Sequence, residues 1–307
     1  MDIMLIFHQM LVMLILLAVG VIAAKAGVMD EESSRRFTSF NLLIPQSCMI
    51  LDSILGADVS IPPLRVLGII GTGFVMYAVL VAIGFLVPKI YRCKPGDKGI
   101  YSFMTIFGNV GFLGIPIARS ILGETASLYA ALLNIPFNLL AYTLGIAMLS
   151  SSGKKEPIQW KRLLNVPLIV SALCLVLLCF HVRLTGPLGQ AVELLGDMIL
   201  PGSMIIIGAT LGRQNLKEVF GDLKVYLFAP MRLVVVPVVL WLILHLFVKD
   251  AVFLGTMTLQ GAMPVAAFAT MLSIEYGGNV QMASKTVLVT TVLSVVTVPL
   301  VVGLLPL

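Results

Sequence analysis

Charged side chains are scarce along this chain. Asp, Glu, Lys and Arg together make up 11% of its 307 residues, whereas a soluble globular domain carries about 25%. Hydrophobic residues amount to 59%, and the mean hydropathy is +1.06. A soluble protein of this length could not bury so many hydrophobic side chains in its core, so the composition excludes an ordinary soluble protein.

Cysteine is also scarce, and its spacing forms no framework. Three of the four cysteines fall in apolar segments and Cys93 lies in a basic loop, with no CxxC pair. The sequence therefore predicts neither a disulfide scaffold nor a structural zinc site. The HExxH, GxSxG and P-loop signatures are missing as well. We therefore expect no enzyme of those classes, no resident cofactor or metal, and no ATPase of its own.

Long apolar runs are abundant instead. Stretches of about 18–25 residues match the length that a helix needs to cross a bilayer. Runs such as Leu11–Val21 lack the alternating polarity of barrel strands. We expect the first stretch to be a retained helix rather than a cleaved leader, because no positive charge precedes it. The prediction is an all-α polytopic membrane protein with ten spans, at 3–24, 37–56, 64–88, 99–121, 126–150, 163–182, 189–211, 224–248, 251–273 and 282–305.

Basic residues mark one side of this predicted bundle. Most lysines and arginines fall in loops that follow odd-numbered spans, which the positive-inside rule places in the cytoplasm, with both termini outside. The net charge of +5 is thus interpreted as a topology signal. We expect the chain to contact the lipid bilayer and not to bind nucleic acid. The residues that set the orientation are Lys25, Arg35, Arg36, Lys89, Arg92, Lys94, Lys98, Lys154, Lys155, Lys161, Arg162, Arg213, Lys217, Lys224 and Lys285.

A faint internal repeat relates the two halves of the chain. Segment two contains Leu43–Ser47 (LIPQS) and segment seven contains Ile199–Ser203 (ILPGS), while segments four and nine each carry a proline beside glycines, Pro116 and Pro264. The shift is five helices, an odd number, so the second half would lie inverted relative to the first. This pattern predicts repeats at 1–150 and 163–307, joined by a cytoplasmic connector at 151–162. The alternative is a chance recurrence of a short apolar motif.

Segments four and nine hold the strongest candidate site. Three glycines and a proline within Gly108–Pro116 would interrupt a helix, and Gln260–Pro264 offers a second interruption. Paired interrupted helices point to the binding site of a transporter, and their half-helix N-termini suit an anion. The alternative is a pair of packing kinks. The solute-binding candidates here are Asn109, Gly111, Gly114, Pro116, Gln260 and Pro264.

Polar side chains on other segments supply further candidates. Asn134, Asn138 and Tyr142 recur on one helix face, and we expect the two asparagine amides to face a cavity. Asn41 and Gln46 flank Pro45 and are interpreted in the same way, with Asn41 and Pro45 as candidate binding residues. The hydroxyl stripe of Thr290, Ser294 and Thr297 is more typical of contacts between helices.

Arg232 is the one basic residue predicted inside a membrane segment. It is a candidate counter-charge for an anionic solute, because a buried arginine is costly in hydrocarbon and is retained for a reason. The favoured alternative is that it snorkels to the headgroups or pairs with Asp52 or Asp197.

Several of these motifs resemble the auxin efflux carrier family, whose bacterial members are often labelled malonate or malate permeases. They are Phe40–Pro45, Gly108–Pro116, Arg232–Pro237, Ala262–Ala266 and Glu275–Gly277. The resemblance covers essentially the whole chain. It implies two inverted five-helix repeats whose fourth and ninth helices cross at Pro116 and Pro264. It also implies carboxylate solutes and an elevator-like movement of a transport part against a scaffold.

The expected function is secondary active transport of a small organic anion, a mono- or dicarboxylate, across the cytoplasmic membrane of a bacterium. Within transport, the alternative is a sodium-coupled carrier similar to bile acid symporters. Outside transport, the alternative is a membrane-embedded receptor or enzyme. The residues leave Na⁺ and H⁺ open as coupling ions and leave open whether the chain forms a homodimer.

Overall fold

The computed structural model describes residues 3–52, 55, 62–150, 166–180, 182–214 and 221–304. The predicted connector at 151–162 lies outside the described residues. The described part of the chain is mostly helical, and its β pairing is limited to one isolated bridge.

Sixteen α-helices make up the described chain, and three short π-helical turns continue some of them. The π turns are Val110–Gly114, Ala141–Gly145 and Met231–Val235. The helices are α1 Ile3–Lys25, α2 Glu31–Leu43, α3 Pro45–Leu51, α4 Pro63–Ile90, α5 Lys98–Ile106, α6 Ile115–Leu122, α7 Glu124–Leu140, α8 Ile146–Ser150, α9 Val166–Cys179, α10 Gly186–Asp197, α11 Ile199–Gly212, α12 Leu223–Pro230, α13 Val236–Leu244, α14 Ala251–Ala262, α15 Phe268–Tyr276 and α16 Val280–Leu304.

Five helical stretches of the described chain are long and apolar enough to cross a bilayer. They are 22–27 residues long: Leu64–Ile90, Glu124–Ser150, Gly186–Gly212, Leu223–Leu244 and Val280–Gly303. Shorter apolar helices, such as Ala251–Ala262, accompany them. The architecture is therefore that of a polytopic helical membrane protein.

The helices pack in two groups. In the smaller group, α1 packs against α11, α2 and α3 pack against α10 and α11, and α9 packs against α3. Gly20 and Gly208 bring α1 and α11 into backbone contact, since a Cβ on either would overlap the other helix. The larger group holds α4 to α8 and α12 to α16.

The interruption in segment four lies at Phe107–Asn109. This corrects the expectation that the helix breaks and crosses at Pro116. Pro116 lies beyond the break, in the first turn of α6, which continues the π turn Val110–Gly114. Phe107 takes an extended conformation (φ −101°, ψ 103°), and α5 ends before it. In segment nine the prediction is correct, because Pro264 lies between α14 and α15 beside the extended Met263 (φ −62°, ψ 146°).

Polar contacts gather the described loops into two ends of the molecule. One end holds the loops that follow odd-numbered predicted spans, and the other holds most of the remaining loops. At the first end the pairs are Asp97–Asn279 at 2.9 Å, Arg213–Met29 carbonyl at 2.9 Å and Lys285–Asp222 at 3.9 Å. At the second end they are Arg65–Asp250 at 3.5 Å and the Leu184 N–H with the Leu55 carbonyl at 3.2 Å.

Candidate functional site

The two interruptions cross and pair through their backbones. Gly108 and Val265 form an antiparallel bridge. The N–H of Asn109 donates to the Pro264 carbonyl over 2.7 Å, and the N–H of Ala266 donates to the Phe107 carbonyl over 3.1 Å. Backbone groups freed by the breaks thus satisfy each other, as a membrane interior requires. The crossing is consequently a fixed junction between two otherwise separate segments.

Helix α16 supports this junction from the side. The hydroxyl of Thr290 accepts a hydrogen bond from the Val265 N–H over 3.2 Å and donates to the Thr286 carbonyl over 2.7 Å. Thr290 therefore joins α16 to the crossing, whereas the Ser294 hydroxyl donates to the Thr291 carbonyl of its own helix.

A small cavity lies beside the crossing, where the second half of each interrupted segment begins. Its volume is about 10 Å³, at the lower limit for a single water molecule. The first N–H groups of a helix have no partner within it and carry partial positive charge. The cavity is lined by Met49, Gly108, Asn109, Val110, Gly111, Asn134, Phe137, Ala266 and Phe268.

Asn134 supplies a free donor to this cavity. Its side chain is 2% exposed, and its amide nitrogen has no hydrogen-bond partner among the described residues. Gly111 lies opposite, with the amide nitrogen 3.5 Å from the position that a Cβ on Gly111 would take. Asn109, also buried, lines the same space. A buried unpaired amide is costly, which makes this cavity a candidate place for a polar ligand.

Asn138 lies one turn further along α7 and contacts the smaller helix group. The side-chain amide of Gln46 on α3 donates to the Asn138 carbonyl oxygen over 3.4 Å. Both side chains are buried, and the Gln46 oxygen has no partner. This pair therefore bridges the two helix groups close to the cavity.

The structure places the other predicted residues around the crossing rather than in the cavity. Asn41 packs over Gly202 and donates to the Ile199 carbonyl at 3.4 Å, which joins α2 to α11. Gln260 donates to the Ala130 carbonyl at 3.1 Å and joins α14 to α7. Pro45 begins α3, and Gly114 faces Met263.

Arg232 is buried, and both predicted alternatives for it are wrong. Its side chain is 1% exposed, which excludes snorkelling to an interface. Among the described residues it forms no ion pair with Asp52 or Asp197. Its Nη1 donates instead to the Gly261 carbonyl, and its Nη2 lies against Gly108. The guanidinium thus lies at the crossing, although it is not among the residues that line the small cavity.

Sequence reasoning missed the apolar lining of the cavity. Phe137 and Phe268 form an edge-to-face pair with centroids 5.8 Å apart, and Met49 reaches the cavity from α3. Phe137 precedes the candidate Asn138, and Phe268 follows the second interruption. Their closeness in sequence to predicted site residues was the signal that could have indicated a role in the cavity. Met49 had none, because only tertiary packing brings α3 to the crossing.

A much larger cavity has lining residues on the same helices as the small one. It has a volume of about 870 Å³ and lies between α3 and α10 on one side and α6 and α7 on the other. Its lining includes Asp52, Ile115 and Ala131, each about one helical turn from a residue of the small cavity. We call this larger space the vestibule. Asp52, Arg119 and Glu193 give it charges of both signs.

The described residues contain no group of three or more His, Cys, Asp or Glu side chains that could hold a metal ion.

Comparison with known proteins gives consistent matches along the chain. A family model described as "Membrane transport protein" matches residues 5–302. A protein of Rhizobium meliloti named "Putative malonate transporter" is 30% identical over 238 residues, which cover 75% of this chain and 73% of that protein. An "Uncharacterized transporter" of Methanothermobacter thermautotrophicus is 25% identical over 294 residues, covering 95% and 96% of the two chains. Another uncharacterized transporter, from Methanocaldococcus jannaschii, is 21% identical and covers 94% and 96%.

Proposed function

The chain belongs to the membrane transport protein family, and from this premise we propose that it is a secondary active transporter of a small organic anion, a mono- or dicarboxylate. Its family and relatives are transporters rather than enzymes. The observation that carries the solute class is the unpartnered amide nitrogen of Asn134, in a cavity beside the beginnings of two half-helices. The relative whose name mentions malonate agrees with this class.

The anion would be held mainly by helix ends. Two half-helix N-termini, each carrying roughly half a positive charge, together balance about one carboxylate. The amides of Asn134 and Asn109 add donors that bind a carboxylate oxygen and have no charge of their own. Phe137 and Phe268 would keep water from the bound solute.

The proposed architecture has ten spans in two inverted five-helix repeats. Corresponding helices of the two halves make corresponding contacts, which supports the repeat. Helix α1 packs against α11 while α9 packs against α3, and α4 packs against α5 while α13 packs against α14. The interrupted segments then occupy equivalent positions and cross near the pseudo-symmetry axis. A second copy of the chain stays a candidate partner.

The transport cycle is proposed to be alternating access of an elevator-like kind. The smaller helix group would be the scaffold, and the larger group, which contains the crossing, would move. A cavity of about 10 Å³ has to open before a carboxylate enters, and the vestibule lies between the two groups on the path of that opening. With both termini outside a bacterial cytoplasmic membrane, the vestibule faces the exterior.

Uptake into proteoliposomes tests the proposal. Uptake of labelled malonate by the reconstituted protein is measured in the presence of an excess of unlabelled malonate or of its neutral diamide. We expect the acid to compete and the diamide to compete poorly, because helix ends favour charge. Equal competition by acid and diamide, or no uptake of any acid in a mono- and dicarboxylate panel, would overturn the proposed solute class.

A further inference from the structure

The surroundings of Arg232 differ from those of an ordinary buried arginine. Its guanidinium contacts backbone from both interrupted segments, at Gly108 and Gly261. No carboxylate of the described residues lies within ion-pair distance of it. The π turn Met231–Val235 presents the side chain from a third segment. The positive charge is therefore compensated by backbone groups.

The two contacts lie near the negative ends of two helices: Gly261 is in the last turn of α14, and Gly108 follows the end of α5 by two residues. Helix α5 ends at Ile106 and α14 ends at Ala262, on either side of the crossing. The last carbonyls of a helix lack partners and carry partial negative charge. In secondary transporters such half-helix C-termini and unwound carbonyls form sites for a coupling cation.

We propose that the Arg232 guanidinium is a built-in cation, which occupies the place between the negative ends of α5 and α14 where a mobile coupling cation would otherwise bind. The inference rests on the proposed function and deepens it, since it makes transport independent of Na⁺. It also assigns Arg232 a positioning role at the crossing, separate from the solute.

The chemistry of arginine fits this role. Guanidinium stays charged and spreads its donors in a plane, so Nη1 donates to the Gly261 carbonyl of one segment while Nη2 lies against Gly108 of the other. Gly108 makes room for it, because a Cβ there would overlap Nη2. Its Nε has no partner among the described residues, so the backbone carbonyls do not accept from all the hydrogen-bond donors of the guanidinium. A fixed positive charge consequently remains at the crossing throughout the cycle.

The first arm of the test measures malonate uptake by the wild-type protein with Na⁺ replaced by K⁺ or choline. We expect the same rate in all three salts. A rate that requires Na⁺ would overturn the inference while leaving carboxylate transport intact. If no carboxylate is transported, the proposed function fails separately, and the second arm still tests the role of Arg232.

The second arm needs no solute. Thermal unfolding of purified Arg232→Ala is followed with and without millimolar guanidinium, with K⁺ as the ionic-strength control. We expect a lowered unfolding temperature that guanidinium partly restores and K⁺ does not. The matched control is Arg36→Ala, because Arg36 is exposed and pairs only with Glu32 on its own helix. Equal effects of guanidinium on both variants, or none on Arg232→Ala, would contradict a cation site.

A third comparison covers the case in which Arg232→Ala does not fold. Arg232→Lys keeps the charge, whereas Arg232→Gln keeps only hydrogen bonding. We expect Lys to retain folding and Na⁺-independent uptake. Gln should lose uptake by roughly 5–10-fold, because a neutral hydrogen bond contributes about 1 kcal/mol less than one made by a charged group. Equal behaviour of the two variants in uptake and unfolding would show that the charge is irrelevant and would overturn the inference.

Discussion

Gly108 and Arg232 meet at the crossing of the two interrupted helices, with guanidinium Nη2 in the space that a side chain at position 108 would need. The glycine is thus required by a close approach of a neighbouring side chain. The same residue forms the backbone bridge to Val265. Gly108 therefore joins the two interrupted segments and also leaves room for the Arg232 guanidinium between them.

Substitution of this glycine should be costly. Gly108→Ala is expected to destabilise the protein by about 1–3 kcal/mol, the usual range for overpacking, and to reduce uptake because the guanidinium must move. Gly114→Ala is the matched control, since its new Cβ would find its nearest neighbour at an ordinary 3.5 Å. Thermal unfolding and uptake of both variants provide the measurement. Equal stability of the two would show that Arg232 can move aside freely.

Asn134 should separate function from stability. Its amide nitrogen has no partner, so Asn134→Leu removes an unsatisfied polar group and should leave the unfolding temperature unchanged or raised. Uptake should nevertheless fall roughly 10–100-fold, as for loss of a hydrogen bond to a charged group.

Gln260→Leu provides the contrast. It breaks the hydrogen bond to the Ala130 carbonyl and should lower stability. If the Asn134→Leu variant took up solute at the wild-type rate, the solute would have to bind at a site that does not include Asn134.

A hydrogen bond between the two helix groups should influence which side of the protein opens. The Ser39 hydroxyl on α2 donates to the Glu275 carboxylate on α15 over 2.7 Å, at the end of the molecule opposite the vestibule. Ser39→Ala should favour opening at that end by about 1 kcal/mol, roughly a fivefold shift in the equilibrium. The readout is the reaction rate of a maleimide with a cysteine placed at the buried Ser273. Ser39→Thr, which keeps the hydroxyl, should react at the original rate.

The orientation in the membrane can be checked at two exposed residues. In a variant without native cysteines, Thr185→Cys should react with an impermeant reagent in intact cells, because it lies at the predicted outer end. Lys94→Cys, in a basic loop, should react only after the membrane is opened. The reverse pattern would invert the topology.

The sequence was informative about the fold wherever a local property decided the outcome. Apolar length predicted a helical membrane protein, and the glycines near Asn109 and Pro264 predicted the two interrupted segments. The exact break was misplaced because Pro116 is accommodated where the π turn Val110–Gly114 passes into α6, while the chain leaves helical geometry earlier, at Phe107. Local sequence could not show this difference.

Tertiary packing decided the residues that sequence reasoning misjudged. The position of Arg232 near its segment end favoured snorkelling, yet its guanidinium is buried at the crossing, where it donates to the Gly261 carbonyl. Asn41 stays a predicted solute ligand, and the packing adds a contact that the sequence did not show, because Asn41 lies against Gly202 and joins α2 to α11. Each case depends on a partner that is distant in sequence.

The difference in size between the two cavities has a consequence for pharmacology. A competitive blocker shaped like the solute has almost no room beside the crossing, where the space is about 10 Å³. A drug-sized molecule fits the vestibule, whose volume of about 870 Å³ is within the range of ligand pockets. Such a compound could carry charges complementary to Asp52, Glu193 and Arg119 and wedge the two helix groups apart. Screening for inhibitors should therefore favour zwitterionic compounds that bind in the vestibule over carboxylates that imitate the solute.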